Sequence, residues 1–200
     1  MDLFNTSSIQ NILPFDGEVL NFGLVLNSNF CKYYFSKFLG ADFWEQDAFM
    51  MFGNQIKTNR KVAWFGDLNY QYSYSNSVKI ALNWTPELLY LKELVELKTG
   101  EKFNSCLLNL YHNGGEGMGW HSDNEKELGE QPVIASLSLG AARKFSFKHN
   151  QTKQKIDIVL EAGNLLLMKG ETQKSWMHSL PKTKNVEKPR INLTFRYIYN

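Results

Sequence analysis

The chain has 200 residues, enough for one compact domain, and its 43% hydrophobic and 21% charged residues exclude a disordered or fibrous protein. A net charge of +2 excludes a uniformly basic nucleic-acid coat, but the charge is uneven: residues 1–100 hold 8 Lys/Arg against 10 Asp/Glu, and residues 101–200 hold 14 against 10. Two cysteines, Cys31 and Cys106, are too few for a disulfide framework and form no CxxC pair, which points to reduced thiols in an intracellular protein, cytoplasmic if bacterial.

The first residues, MDLFNTSSIQNILPFDGEV, lack a basic segment followed by an apolar one and so do not read as a secretory signal. No apolar run approaches the length needed to span a bilayer, so no membrane partner is expected. Residues 1–15 read as a loosely held arm. Residues 28–48 carry apolar positions at helical spacing, interrupted by Gly40, and predict a helix with one face on the core. A smaller β element is expected over about residues 50–80. After Thr85-Pro86, the stretch ELLYLKELVELKTG places Leu88, Leu91, Leu94, Val95 and Leu97 on a helical stripe that closes at Gly100.

From Asn104 the pattern changes. CLLNLY, IASLSLG, KFSFKH, IDIVLEAG, NLLLMKG, WMHSLP and RINLTFRYIY are short β-branched or aromatic runs separated by Gly, Asn and Pro. They predict an antiparallel sandwich or barrel, and the 14% aromatic content suits such a core. The fold class expected is α+β, mainly β, with N-terminal helices backing a β core in a single domain. Between Arg143 and Lys155 stand five basic residues (Arg143, Lys144, Lys148, Lys153, Lys155), a solvated loop or, beside a site, a cradle for a phosphate backbone.

Inside this half, His121-Ser122-Asp123 comes after the turn Gly114-Gly115-Glu116-Gly117-Met118-Gly119. In an extended segment residues two apart share a face, so an imidazole and a carboxylate can reach one ion. His178, from a distant strand, would add a second imidazole. Two His and one carboxylate leave adjacent positions open, as non-haem Fe(II) oxygenases require; zinc can occupy the same set but accounts for less of the downstream sequence. Alone, such a triplet is common in surface turns. In RINLTFR, period 2 puts Arg190, Asn192, Thr194 and Arg196 on one face and Ile191, Leu193 and Phe195 on the other. The two guanidiniums lie about 20 Å apart along the strand, too far to grip one carboxylate together. Each needs its own anion if buried, and a dicarboxylic acid plus a ligand carboxylate would supply them. Asn109 and Tyr111 form a second same-face polar pair.

At this point NLY, GMGWHSD, the later His and RINLTFR together resemble the AlkB-type 2-oxoglutarate dioxygenases, whose pattern is N-x-Y, H-x-D, a distal H and R-x-N-x-T-x-R. The match runs from about Phe103 to Tyr197. The resemblance implies a double-stranded β-helix (jelly roll) over about residues 103–198. It implies iron on His121, Asp123 and His178, 2-oxoglutarate on Asn109, Tyr111, Arg190, Asn192 and Arg196, and O2 as co-substrate. Upstream, MFGNQIKTNRK and FGDLNYQYSY are similar to the nucleotide-recognition hairpins of the animal branch that repairs double-stranded DNA. That similarity makes Phe52 a finger residue, Tyr72 and Tyr74 the walls of a base pocket with Tyr74 opposite His121, and Glu125 a reader of the exocyclic amine. It implies demethylation of alkylated bases in DNA, with RNA or protein as alternative substrates and an idle nucleic-acid-binding module as a third reading. The chain departs from that branch after Ser179-Leu180-Pro181, where Lys182-Thr183-Lys184-Asn185 replaces a run of three basic residues. A monomer is expected.

Overall fold

The computed structural model describes residues 9–51, 54–68, 70–74 and 77–199, as backbone alone at 47–51, 54–56, 71–74 and 77–79. Chain order begins with β1 (Glu18–Leu24), helix α1 (Ser28–Leu39), the hairpin β2 (Glu45–Met51) and β3 (Asn54–Gly66), and the small hairpin β4 (Gln71–Tyr74) and β5 (Ser77–Ile80). Helix α2 (Pro86–Thr99) leads into β6 (Ser105–Tyr111), β7 (Met118–His121), β8 (Ile134–Gly140), β9 (Arg143–His149), β10 (Lys155–Leu160) and β11 (Asn164–Lys169). A helical turn at Thr172–Ser175 precedes β12 (Trp176–Leu180), and β13 (Arg190–Arg196) closes the fold.

Both helices start where the sequence places a cap. Thr85 Oγ1 accepts from the Leu88 N–H at 3.3 Å, Pro86 sits in the first turn, and Gly100 ends α2 in the left-handed region at φ +75. Leu88, Leu91 and Val95 are completely buried, each contributing about 1.5–3 kcal/mol of apolar burial. Leu97 departs from the expected stripe. It lies nine residues beyond Leu88, half a turn away on a 3.6-residue helix, and is 81% exposed. Helix α1 also ends sooner than its periodicity suggests. Gly40 closes it, and the Trp44 indole N–H takes the Phe38 carbonyl at 2.7 Å. Phe43 and Trp44 still pack on the core, but from the approach to β2 rather than from a helix.

Among the described residues the strands form a seven-stranded sheet in the order β1-β11-β8-β13-β6-β3-β2, a four-stranded sheet β10-β9-β12-β7, and the β4-β5 hairpin, with antiparallel strand pairs throughout. This is the expected mainly-β jelly roll. The β element between the helices is larger than expected, because β2 and β3 join the main sheet through β6. The two faces of the main sheet have different partners. Ile191, Leu193 and Phe195 of β13 pack with Leu137, Leu108 and the α1 and α2 side chains Phe38, Leu88 and Leu91. The other face looks toward the small sheet. There Ile134, Leu166 and Met168 meet Phe147 and Trp176 in a second apolar cluster. The polar row of β13 continues that inner face beyond the cluster.

The segment read as a loose arm is held from Asn11 onward. Asn11 Oδ1 accepts from the Leu13 and Val19 N–H groups at 3.1 and 2.7 Å. Leu13 is 3% exposed within the inter-sheet cluster, and the Phe15 carbonyl accepts the Trp176 indole N–H at 3.0 Å. No helix among the described residues is long and apolar enough to cross a membrane.

Candidate metal centre and co-substrate pocket

Strands β7 and β12 pair so that His121 and His178 are direct partners, with their ring centroids 4.2 Å apart. Asp123 stands two residues later, beyond the end of the ladder. One ligand atom from each of His121, Asp123 and His178 lies within 4.8 Å of the others. The glycine turn before β7 makes this approach possible. A Cβ on Gly114 would run into the Thr183 carbonyl, and one on Gly117 into the Leu180 carbonyl. Arg143 then staples the turn: its guanidinium donates to the carbonyls of Asn113, Glu116 and Pro181 at 3.2, 2.9 and 2.9 Å, and more weakly to Gly114. Arg143 is therefore 2% exposed and structural, and does not belong to a phosphate-binding run.

The protonation states suit a divalent cation. The His121 Nδ1 faces the Gly119 carbonyl at 2.9 Å, and because a carbonyl only accepts, Nδ1 donates there and Nε2 is left as the nitrogen available to a metal. Burial pulls His178 down to about 3, so its ring is neutral, and its Nδ1 is buried without a partner. Burial works against ionisation of Asp123, but the Arg196 guanidinium, 3.0 Å from its Oδ2, and the two imidazoles more than offset this and hold it at about 2. Two imidazoles and one carboxylate, with a buried His178 nitrogen unpartnered, fit Fe(II).

The polar row beside this cluster is built from paired strands. Asn109 lies opposite Asn192 and Tyr111 opposite Arg190 across the β6–β13 ladder. Asn192 links the row: its Oδ1 accepts from Ser136 Oγ at 2.9 Å and from Arg190 at 2.8 Å, while its Nδ2 donates to Thr194 Oγ1 at 2.8 Å. Arg190 also donates to Ser138 Oγ at 2.9 Å and sits 5.9 Å over the Tyr111 ring. The two arginines thus differ. Arg196 is paired with Asp123, and burial's downward pull on it is outweighed by Asp123 and Glu125. Arg190 has only neutral hydrogen-bond acceptors, its Nε has none, and burial lowers it to about 10. Ser136 and Ser138 were missed in the sequence. Their signal was present, as alternate serines in IASLSLG that share a face.

Phe52 lies outside the described residues. Tyr72 and Tyr74 are backbone positions on β4, opposite Lys79 and Ser77. Glu125 is half-buried in the segment after Asp123, and its Oε2 is buried with no partner. Lys144, Lys148 and Lys155 stand on β9 and β10 of the small sheet, and Lys153 lies in the turn between them. Lys144 pairs with Asp157 at 3.1 Å, and the Lys148 and Lys155 ammonium groups stand 4.5 and 5.9 Å from the Trp120 ring centroid. Trp120, Lys144, Lys155 and Lys182 line one groove of about 440 Å³.

Comparison with known proteins agrees with this geometry. The profile described as 2OG-Fe(II) oxygenase superfamily matches residues 26–196. The chain is 43% identical over 149 residues to the Bos taurus alpha-ketoglutarate-dependent dioxygenase alkB homolog 3, covering 70% of this chain and 52% of that protein. It is 38% identical over 156 residues to the Homo sapiens DNA oxidative demethylase ALKBH2, covering 74% and 60%. The chain thus spans about half the length of the first of these curated relatives. Among solved structures, OsALKBH1 superposes with a TM-score of 0.63 at 18% identity, over 92% of this chain and 99% of that one. A Trichoplax adhaerens prolyl hydroxylase bound to a hypoxia inducible factor peptide gives 0.63 at 14% identity, over 90% and 83%. At these identities the two structures share the fold alone.

Proposed function

The chain belongs to the 2OG-Fe(II) oxygenase superfamily, and from that premise we propose that it demethylates N-alkylated bases in DNA, 1-methyladenine and 3-methylcytosine, by oxidation. The reaction consumes O2 and 2-oxoglutarate and releases formaldehyde, succinate and CO2. The observation that carries the co-substrate assignment is Arg190, a buried cation surrounded by neutral acceptors. A buried charge without a counter-ion is costly, and a terminal carboxylate of 2-oxoglutarate removes that cost. The substrate class rests on the relatives named alkB homolog 3 and DNA oxidative demethylase.

His121, Asp123 and His178 would hold the iron, which when bound supplies the oxidising chemistry. The chain's own residues supply position and charge. Arg196 keeps Asp123 ionised, the Gly119 carbonyl fixes the tautomer of His121, and burial keeps His178 neutral. Asn192 orients Arg190 toward Tyr111 and Asn109, the remaining groups of the co-substrate pocket. Glu125, with a buried oxygen lacking a donor, would accept from the exocyclic amine of a base turned out of its strand, and its charge suits a cationic lesion. Phe52, Tyr72 and Tyr74 would stack against that base or fill its gap, and Lys148, Lys155 and Lys182 would follow the phosphates of a strand leaving the site.

Mass-spectrometric turnover on matched methylated oligonucleotides (single-strand DNA, duplex DNA and RNA) with iron and 2-oxoglutarate tests the proposal. Formaldehyde and unmodified base should appear with DNA and vanish in His121→Ala. Demethylation at a normal rate in that variant, or turnover confined to RNA, would sink the respective part of the reading.

A further inference from the structure

The ladder between β7 and β12 ends at His121, so it leaves the next ligand unanchored: Ser122-Asp123 has no strand partner. A carboxylate on loose backbone is a poor ligand, because each swing of the main chain moves its oxygens out of range. In this protein the Asp123 N–H donates to the side chain of Gln173 at 2.9 Å. Gln173 is 3% exposed, and its amide nitrogen rests 3.7 Å from the Met168 sulfur.

The glutamine is itself firmly placed. It occupies the helical turn Thr172–Ser175, which runs directly into β12 and hence into His178. Thr172 next to it is completely buried, donates to the Lys169 carbonyl at 2.6 Å, and accepts the Glu18 N–H at 2.8 Å. One end of the link therefore belongs to the element that carries the distal histidine. The other end is the main chain of the acidic ligand, fifty residues earlier.

We propose that Gln173 is a positioning residue for the metal centre, its side-chain oxygen fixing the Asp123 backbone relative to the strand of His178. The role rests on the iron site proposed above. It concerns where the carboxylate is held rather than what the site oxidises. Gln173 touches neither metal nor substrate, and it acts through Asp123. Partners that orient ligands in this way typically hold about 10–100-fold in metal affinity.

The test uses Co(II) as the probe on the full chain, titrated by its visible absorption bands in wild type and in Gln173→Met, Gln173→Asn and Gln173→Glu. Methionine keeps the length without the acceptor oxygen, asparagine is too short to reach, and glutamate keeps an acceptor. Expected are a Co(II) Kd raised about 10–100-fold and altered bands in the Met and Asn variants, with most of the affinity restored by Glu. Thermal unfolding of the metal-free proteins should show far smaller differences than the metal titration. If Gln173→Met does not fold, Gln173→Asn carries the same comparison. Wild-type affinity and bands in either variant overturn the role of Gln173 while leaving the iron site intact. Failure of wild type itself to bind Co(II), or binding that survives His121→Ala, overturns the site and the inference together.

Discussion

Replacing Arg190 with Met moves ligand affinity and fold stability by very different amounts. The variant removes a guanidinium that is 2% exposed and that burial has drawn down to about 10 from 12.5. At about 1.4 kcal/mol per decade, keeping that charge in the ligand-free protein costs on the order of 3 kcal/mol. Against this stand the bonds to Ser138 Oγ and Asn192 Oδ1, at 2.9 and 2.8 Å. Because the donor is charged, each contributes about 1.5–3 kcal/mol, so at the lower end the two terms nearly cancel. Ligand-free Arg190→Met should therefore unfold within about 4 °C of wild type. Its 2-oxoglutarate affinity should fall far more, because a buried carboxylate would lose its counter-ion at a cost of about 3–5 kcal/mol, or roughly 100- to 1000-fold and more in Kd. Thermal melts of the metal-free proteins and calorimetric titration of 2-oxoglutarate into Mn(II)-loaded protein read the two quantities separately. A melting point lowered by more than about 10 °C would make Arg190 a structural cation, and a Kd within about tenfold of wild type would remove it from the co-substrate pocket.

Two further perturbations probe the supports of the site. Arg143→Met withdraws the side-chain donors that staple the glycine turn to the end of β12, leaving the backbone bond from the Thr183 N–H to the Gly114 carbonyl, and should lower stability by about 3 kcal/mol, a fall of roughly 6–12 °C in Tm. An unchanged melt would mean that the turn holds itself. Glu96 gives a pH signature away from the active site. Burial opposes its charge, but Lys102, the Phe103 N–H and Lys92 together hold its pKa below the usual range. A carboxylate depressed in the folded state stabilises fully above its unfolded pKa, and that contribution disappears as pH falls through the folded value. The stability gap between wild type and Glu96→Gln should therefore be widest near neutral pH and close as pH falls below the usual carboxylate range. A gap that stays constant across that range contradicts the ionic role.

Much of the fold was legible because its signals are local. Caps at Thr85 and Gly100 mark α2, and the short β runs after Asn104 coincide with strands of both sheets. The end of α1 was not legible, because its apolar period continues through Phe43 and Trp44. Only packing shows that these side chains reach the core from the approach to a strand. The same contrast holds for Arg143, which sits in a basic run by composition and is buried by its contacts with four carbonyls.

For the site opened by His121, Asp123 and the alternating row of RINLTFR, the sequence alone determined which side chains share a face, since a strand's period of two is a property of the backbone and needs no neighbour. It also supplied the ligand chemistry, two imidazoles and a carboxylate. Tertiary structure decided the partners. Arg196 meets the carboxylate of Asp123, whereas Arg190 donates to Ser138 and Asn192 and lies over Tyr111, although both arginines stand in the same row of one strand. Gln173 reaches Asp123 across fifty residues, and nothing in the spacing of TQKS announces it. Contacts between segments depend on how sheets stack and where turns are stapled, and those distances are set only once the whole chain has folded.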